Sequence, residues 1–354
     1  MKKLLFATIA ISLTLALAVA TYADAPQALD WLRTQQNDDG GFGTPESSVG
    51  ATADTVLAIV AAGEDPSTWK KNGNTPLSYL AAHSSEATAS AGNTAKAILA
   101  LVAAGQDPRT FGGVDLVYAL EQLLGDDGKF GGEAETLSGH CLAIMALKSV
   151  SRPVPPAAVE WLKARQIEDG TWSWNGDTTP GSGDNNSAAY AVMALIAAGE
   201  PADGAIISKT IAHFHNQQNA DGGFPYINPS EWGTDTDSNS TAVVLQALIA
   251  AGEDPQSAAW TKDGNTPLSA LLALQNESGA FAWQAAMPDD NFLSTIQAVP
   301  AMVGKTFPFA TTTVSAEPAV LPTTGGVLLS PAVIVVASGL ALLGAGWTLR
   351  RRAA

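Results

Sequence analysis

The sequence predicts an all-α fold in which six helix-hairpin repeats close into an (α/α)6 toroid. In four places a Gln precedes an aromatic residue by six positions across a Gly-containing turn, which marks a repeat. Six Ala-rich segments end at similar intervals, four of them on the tripeptide Ala-Ala-Gly. Apolar and polar residues do not alternate for long between these marks, so the pattern favours helices over strands.

The Gln–aromatic turns occur in QNDDGGF, QIEDGTW, QNADGGF and QNESGAF. A fifth, degenerate copy reads LGDDGKF, with Leu124 in place of Gln and Phe130 as its aromatic residue. The Asp-Gly and Gly-Gly pairs supply the positive φ that a tight turn needs. We interpret the four intact pairs as structural clasps between repeats: Gln36 with Phe42, Gln166 with Trp172, Gln218 with Phe224, and Gln275 with Phe281.

Each repeat predicts two helices, one on either side of the turn. Before the first turn, Leu29 and Leu32 are apolar at helical spacing. After the turns come segments such as TADTVLAIVAAG and NSTAVVLQALIAAG, which are apolar nearly all round and therefore predict buried helices. Their ends recur at intervals of 42, 43, 51, 53 and 52 residues, which gives six repeats over roughly 26–308. The second repeat, about 74–108, lacks the turn. An open α-solenoid is the alternative, and six repeats, the number that closes, favour the ring.

The turns resemble the QW repeats of squalene–hopene cyclases and, more widely, the prenyltransferase and squalene-oxidase repeats. Two similar linkers, WKKNGNTPLSYL (69–80) and WTKDGNTPLSAL (260–271), add to the resemblance. It covers about 280 residues. The resemblance implies a toroid of six inner and six outer helices in which the Gln and the aromatic residue join adjacent repeats.

Both ends of the chain predict export. Residues 1–23 have the layout of a secretory signal peptide, with two Lys, an apolar run to about Ala20 and a cleavage site at Ala23. An uncleaved membrane anchor is the alternative. The toroid is predicted over 24–307. A Pro/Thr-rich linker follows at 308–320 and would hold the domain away from the surface.

Residues 321–354 predict a surface anchor. An apolar run at 327–349 is long enough to span a bilayer, and three Arg follow it. This order resembles the sorting signal of sortase-anchored proteins of monoderm bacteria, which implies cleavage before Gly325 and attachment to cell-wall peptidoglycan. A C-terminal membrane helix is the alternative, and both place the toroid outside the cell. The pentapeptide consists of Leu321, Pro322, Thr323, Thr324 and Gly325.

Charge and cysteine content exclude several classes of function. Residues 24–324 keep 13 Lys and Arg against all 34 Asp and Glu, a net charge of −21. This argues against nucleic acid and anionic lipid as partners. A single cysteine, Cys141, rules out an intramolecular disulfide and is predicted to be a small core residue. No cofactor is expected.

Catalytic motifs of the resembling family are incomplete. Class II terpene cyclases carry DxDDTA, and its counterpart here is DTDSNSTA at 235–242. Asn239 stands where the family has its proton donor, and an amide cannot protonate an alkene. No catalytic residue is assigned. Whether the chain is an enzyme stays open, and the incomplete motifs favour a protein that is not an enzyme. Asp235, Asp237 and Asn239 have the spacing of a calcium loop but lack its Gly and its final Glu, and helix capping is the alternative.

The loops after the turns predict a ligand site. If the ring closes, they rim one mouth of it, and aromatic residues with carboxylates suit a glycan or a small cationic or apolar ligand. The function predicted is binding without turnover. The alternatives are a terpenoid-cyclase-like, prenyltransferase-like or polysaccharide-lyase enzyme, and a structural stalk or adhesion protein. The candidate ligand residues are Trp172, Trp174, Asp177, Asp184, Trp232, Asp235, Asp237, Trp283 and Asp289.

Overall fold

The computed structural model describes residues 25–231 and 233–309. The predicted signal peptide, Trp232, most of the linker and the sorting signal lie outside the described residues. Within the described part the chain forms thirteen α-helices, and none of them is long and apolar enough to cross a membrane. In chain order they are α1 (Ala25–Thr34), α2 (Val49–Ala61), α3 (Pro76–Ala82), α4 (Ser84–Ala87), α5 (Ala91–Ala103), α6 (Leu116–Glu121), α7 (Leu137–Ser149), α8 (Pro156–Lys163), α9 (Asn185–Ala198), α10 (Ala205–Gln217), α11 (Ser238–Ala250), α12 (Pro267–Leu272) and α13 (Phe292–Met302).

Six of these helices form a closed inner ring. They are α2, α5, α7, α9, α11 and α13, and each packs against the next in chain order. The last helix, α13, packs against the first, α2, so the ring closes. The predicted all-α toroid is therefore confirmed, and an open solenoid is excluded.

An outer helix precedes each inner one. These are α1, α3, α6, α8, α10 and α12. The short helix α4 is an addition in the second repeat, where the Gly–aromatic turn is missing. The Thr94 hydroxyl of α5 donates to the Ala87 carbonyl of α4 at 3.0 Å, so this short helix joins the inner ring where other repeats use their turn.

The inner helices share two features that explain why they form and pack. The residue before each inner helix caps its N-terminus, because its side-chain oxygen accepts the backbone N–H of the residue three positions later. The capping residues are Ser48, Ser90, Thr136, Asp184, Asp237 and Asn291. The tenth helical residue is a buried Ala in all six, which lets neighbouring backbones approach closely: Ala58, Ala100, Ala146, Ala194, Ala247 and Ala301. Cys141 stands at the fifth residue of α7, where four other inner helices carry Ala, and burial raises the pKa of its thiol.

The clasp glutamines bond across repeats. Gln218 Nε2 donates to the Gly222 carbonyl of its own turn at 2.9 Å and to the Trp260 carbonyl of the next repeat at 2.8 Å. Gln36 makes the equivalent bonds to Gly40 and Trp69, and Gln166 bonds the Ile206 carbonyl at 2.9 Å. Gln275 bonds the Gly279 carbonyl of its own turn at 2.9 Å. The clasp aromatics Phe42, Trp172, Phe224 and Phe281 are fully buried.

The turn glycine closes the ring at its seam. Gly279 has φ +92°, and a Cβ there would lie 2.3 Å from the Gln27 carbonyl oxygen of α1. Only Gly therefore lets the last turn rest on the first outer helix. Trp31 of α1 also donates its indole N–H to Asp290 at 3.1 Å, across the same seam.

The fourth residue of the inner helices fixes their rotation. The backbone N–H of Phe42 donates to the Thr52 hydroxyl at 2.9 Å, and Phe281 donates likewise to Thr295. In the third repeat the acceptor is Nδ1 of His140, whose pKa burial lowers to about 4. Because the fourth residue points at the turn, the second and sixth residues, about 200° away on the helix, point to the axis of the ring.

Candidate functional site

The N-terminal ends of the inner helices gather at one end of the ring, together with the loops that follow the clasp turns. We call this end the mouth. Three backbone hydrogen bonds hold these loops in place: Leu137 N–H to the Trp174 carbonyl at 2.7 Å, Asn185 to Tyr226 at 2.9 Å, and Ser238 to Trp283 at 2.9 Å. Each bond uses a helical N–H that has no partner within its own helix. The loops of repeats four to six therefore lie over the N-termini of α7, α9 and α11.

These loops present three exposed aromatic side chains. Trp174, Tyr226 and Trp283 are 56%, 43% and 36% exposed, and each stands two residues after its clasp aromatic. The equivalent residues in the first and third repeats are Thr44 and Gly132. Among residues 25–231 and 233–309, the aromatic rim thus occupies only the part of the mouth formed by repeats four to six. Sequence reasoning placed the two Trp at the rim and left Tyr226 out of it, although its spacing from Phe224 is the same as that of Trp174 from Trp172.

Other predicted rim residues take different positions. Trp172 is fully buried and donates its indole N–H to the Leu162 carbonyl at 2.8 Å, so it belongs to the core and corrects the expectation that it meets a ligand. Asp177, Asp235 and Asp289 are exposed. Asp177 accepts the hydroxyl of Thr179 at 2.8 Å and its backbone N–H at 3.1 Å, and these hydrogen bonds lower the pKa of Asp177. Trp232 lies outside the described residues.

Asp184 and Asp237 are buried caps of α9 and α11 rather than free rim carboxylates. Each accepts the backbone N–H and the hydroxyl of a serine three residues on, at 2.7 to 2.8 Å. Burial raises the pKa of both to about 6, although the serine bonds act in the opposite direction. The Tyr226 hydroxyl also bonds the Asp184 carboxylate, and burial raises the pKa of that phenol.

The residues of the calcium option are engaged within the protein. Both carboxylate oxygens of Asp237 bond Ser240. Asn239 donates to Gln297 at 2.7 Å and accepts from the Ser294 hydroxyl at 3.0 Å. Across residues 25–231 and 233–309, no group of three or more His, Cys, Asp or Glu side chains is arranged to hold a metal ion.

Below the rim, the sixth residues of the inner helices form an axial layer. They are Asp54, Lys96, Leu142, Tyr190, Val243 and Gln297. Asp54 of α2 and Lys96 of α5 make an ion pair at 2.6 Å, with side chains 21% and 29% exposed. Sequence reasoning missed this pair because the residues around Asp54 and Lys96 are Ala-rich and apolar. A charged residue within an otherwise apolar helix is nevertheless a signal that could have marked both positions.

Lys96 also interacts with Tyr190 across the ring. Burial acts to lower the pKa of Lys96, but Asp54, with help from Tyr190 and Glu135, outweighs it and raises that pKa. Burial raises the pKa of Tyr190 to about 12, against the opposing effect of Lys96. Since α7 stands between α5 and α9 in the ring, this electrostatic interaction acts between helices that are not neighbours.

A shallow depression lies away from the mouth. It has a volume of about 410 Å³ and involves Lys148, Arg152 and Glu160 near the opposite ends of α7 and α9. Arg152 already pairs with Glu121 at 2.6 Å, and Glu160 with Lys163 at 3.6 Å. With Arg152 and Glu160 already paired, this depression offers fewer free charges to a ligand.

Two family profiles match the chain: the squalene-hopene cyclase C-terminal domain over residues 130–309 and the prenyltransferase alpha-alpha toroid domain over residues 3–136. No curated protein matches the sequence.

Several solved structures share the fold. The type II terpene cyclase MstE from Scytonema is 14% identical, with 79% of this chain and 96% of that chain covered, at a TM-score of 0.58. An inactive variant of an α-1,6-mannanase of Salegentibacter sp., in complex with α-1,6-mannotriose, is 9% identical. The match covers 80% of this chain and 98% of that chain, at a TM-score of 0.58. A protein from Actinoplanes is 12% identical, and the match covers 80% of this chain and 98% of that chain, at a TM-score of 0.55. At these identities the likeness shows the fold alone.

Proposed function

The chain belongs to the squalene-hopene cyclase C-terminal domain family, and on that premise we propose that its toroid binds a glycan or similar small ligand at the mouth without turnover. The observation that carries this proposal is the row of exposed aromatics, Trp174, Tyr226 and Trp283, at equivalent positions of three successive repeats. Large aromatic side chains left exposed to solvent are a frequent feature of ligand sites.

The chemistry of the rim favours sugars. Aromatic faces pack against the C–H faces of sugar rings, while neighbouring carboxylates accept hydroxyl hydrogen bonds. Asp177, Asp235 and Asp289 are exposed at the loops and can supply such acceptors. The acidic surface makes an anionic ligand unfavourable.

Terpenoid cyclisation fits the residues less well. Asn239 stands where the family places its proton donor, and its amide is held by Gln297 and Ser294. The neighbouring Asp237 is committed to capping α11. The same region therefore acts as a structural network, which supports binding over acid catalysis.

We propose further that the chain is exported and held at the cell surface of a bacterium. The support is the order of signal peptide, toroid, linker and LPTTG segment with its apolar run and Arg tail. Mass spectrometry of the cell-wall fraction tests this. A terminal peptide ending at Thr324 and linked to peptidoglycan supports sortase attachment, and an intact C-terminus in the membrane fraction supports the membrane helix instead.

Binding is tested by native mass spectrometry of the chain purified from its own host, combined with a glycan array. We expect a reproducible added mass or array signal that Trp174→Ala removes. Tyr118→Ala is the control, because Tyr118 is 57% exposed on α6, an outer helix. A bare polypeptide mass with a silent array overturns the proposal in favour of a stalk. Conversion of the bound molecule by the purified chain overturns it in favour of an enzyme.

A further inference from the structure

Three buried polar side chains lie between α9 and α10, at places where other repeats carry mostly apolar residues. Asn185 is the first residue of α9 and is fully buried, and His213 and Gln217, one turn apart in α10, are 8% and 7% exposed. The first residues of the other inner helices are Val49, Ala91, Leu137, Ser238 and Phe292. The counterparts of His213, five positions before the other clasp glutamines, are Trp31, Trp161 and Ala270. Buried polar groups are costly unless they are paired, so this set needs a role.

Two of these side chains hold the loop segment that carries Tyr226. Gln217 bonds the backbone of Asn228 twice: its Oε1 accepts the N–H at 2.6 Å, and its Nε2 donates to the carbonyl at 2.7 Å. Asn185 donates its backbone N–H to the Tyr226 carbonyl and its Nδ2 to the Pro225 carbonyl, both at 2.9 Å. These hydrogen bonds fix the backbone on both sides of Tyr226.

His213 sets the orientation of the Asn185 amide. Its Nε2 lies 3.0 Å from Asn185 Oδ1. Because Asn185 Nδ2 donates to the Pro225 carbonyl, Oδ1 is the acceptor and His213 Nε2 carries the proton. Burial lowers the pKa of His213, so the ring is neutral at pH 7 and keeps this one donor. The three side chains therefore form a connected network that ends on the Tyr226 loop.

The loops of the other two rim aromatics are held differently. A backbone hydrogen bond to an inner helix anchors each of them, as described above. Beside Trp174, the side-chain bond of Ser173 goes to Asn175 at 2.9 Å and stays within the loop. Beside Trp283, Gln284 donates to a backbone carbonyl at 3.4 Å, which is near the limit of a hydrogen bond. The Tyr226 loop is therefore the one held most firmly by buried side chains among residues 25–231 and 233–309.

We propose that Tyr226 determines which sugars the mouth accepts, and that Asn185, His213 and Gln217 are positioning residues that hold it in one orientation. The inference rests on the proposed binding function and deepens it. An aromatic ring fixed before binding loses little freedom when a sugar packs on it, and it fits only some sugar faces.

The side chain of Tyr226 suits this role. Its phenol interacts with the buried carboxylate of Asp184, which fixes the ring as well as the backbone. The residue nevertheless stays 43% exposed, so a ligand can reach it. Trp174 and Trp283 add apolar contact area with less constraint on its geometry.

Gln217→Leu tests the positioning role. Leu274, the counterpart of Gln217 in the sixth repeat, is buried, so this position accepts a Leu. Asn228 is exposed, so water can pair its backbone groups once Gln217 is gone, and the fold should persist. Gln35→Leu is the matched control, because Gln35 is the counterpart in the first repeat and its Nε2 bonds the neighbouring Thr34 at 2.7 Å.

Hydrogen exchange of the full chain, followed by mass spectrometry, reports on the loop without any ligand. We expect exchange over residues 225–228 to become about tenfold faster in Gln217→Leu, since two of the bonds that hold the segment are lost. Exchange in the inner helices should not change, and Gln35→Leu should leave both regions as in the wild type. Unchanged exchange over 225–228 in Gln217→Leu overturns the positioning role.

Titration calorimetry with cellotriose, maltotriose and triacetylchitotriose measures the selectivity. We expect the wild type to prefer one of these neutral sugars, and Gln217→Leu to reduce the ratio between the best and the next affinity about fivefold. Tyr226→Ala should remove the preference and, as a change at an exposed position, keeps the test open if Gln217→Leu does not fold. Trp174→Ala should weaken all three sugars by a similar factor and keep their ratio.

The contradicting outcomes separate the inference from the proposed function. If the ratio survives both Gln217→Leu and Tyr226→Ala while Trp174→Ala weakens binding, Tyr226 does not select the ligand and the proposed function stands. If none of the three sugars binds the wild type, the selectivity assigned to Tyr226 is overturned. A silent glycan array in addition overturns the proposed function, whereas an array signal lost in Trp174→Ala retains it.

Discussion

The two halves of the mouth use one scaffold for different surfaces. The aromatic half, formed by the loops of repeats four to six, carries Trp174, Tyr226 and Trp283 over its helix ends. The charged half, formed by repeats one to three, carries Thr44 and Gly132 at the equivalent positions and instead places Asp54, Lys96 and Glu135 near the axis. The helix caps differ as well, with Asp184 and Asp237 in the aromatic half and Ser48, Ser90 and Thr136 in the charged half.

This comparison separates positions that build the ring from positions that vary around it. The turn glycine, the clasp aromatic and the tenth-residue Ala recur in both halves, because each repeat must meet the next in the same way. Two positions do not make the same contact with the neighbouring repeat in every repeat. They are the residue two positions after the clasp aromatic and the sixth residue of the inner helix. They are free to differ, and the two halves differ most at these positions.

The largest effect is expected from breaking the scaffold that both halves share. Gly279→Ala forces a Cβ against the Gln27 carbonyl at a positive φ, so the seam must open. We expect the free energy of unfolding to fall by about 3 kcal/mol, measured by urea denaturation. Gly264→Ala is the control: its φ is also positive, +85°, but nothing lies within 4 Å, and a loss of about 1 kcal/mol is expected. Equal losses in the two variants would show that the seam contact is unimportant.

The next effect tests the charged half. Lys96→Met leaves Asp54 without its partner near the axis, and we expect a loss of about 2 kcal/mol in urea denaturation, less than for a fully buried pair because both side chains keep some exposure. Adding Asp54→Leu to this variant should recover roughly half of that loss, since the unpaired charge is gone. A double variant less stable than Lys96→Met would argue against an unpaired charge as the cause.

The charged caps of the aromatic half predict a pH dependence. Burial raises the folded-state pKa of Asp184 from 3.8 to about 6, so between these values the folded state binds the proton more tightly than the unfolded state. The free energy of unfolding should therefore fall as the pH rises from about 4 to about 6. Asp184→Asn keeps a capping oxygen and removes the charge. We expect it to stabilise the chain by about 1–2 kcal/mol at pH 7 and to change little at pH 4.

Unfolding of this variant is followed by circular dichroism across the pH range. Asp115→Asn, at the exposed cap of α6, is the matched control for replacing a capping carboxylate by an amide. If Asp184→Asn destabilises the chain at pH 7, the carboxylate is charged and well satisfied in the folded state, contrary to the expectation.

The smallest effect on stability, and the sharpest test of the aromatic half, is Trp174→Ala. More than half of this side chain is exposed, so the free energy of unfolding should change by less than about 0.5 kcal/mol. Affinity for whichever glycan the array identifies should fall about tenfold, or about 1.4 kcal/mol, in titration calorimetry. A large loss of stability would mean that the indole holds the loop rather than a ligand.

Much of the fold could be predicted from the sequence because its signals are local and repeated. The Gln–aromatic spacing and the Gly that ends each segment recur at fixed intervals, and they specify hairpins and their number. The candidate site was only partly predictable. Trp174 and Trp283 were found from their place after the turns. Trp172 is the same type of residue, two positions before Trp174, but it is fully buried. Exposure of an aromatic depends on which way its short loop turns, and local sequence does not specify that.

By itself the sequence determined an all-α chain of six helix hairpins with Gly-dependent turns between them, because capping, helical periodicity and turn chemistry act over a few residues. Only the tertiary structure decided that α13 meets α2, that Asp54 and Lys96 form a pair, and that the charge of Lys96 acts on Tyr190 of a helix that is not its neighbour. Asp54 and Lys96 lie 42 positions apart along the chain, and Lys96 and Tyr190 lie 94 positions apart. The rotation of each helix, fixed by its fourth residue against the turn, brings them together, and no local pattern contains that information.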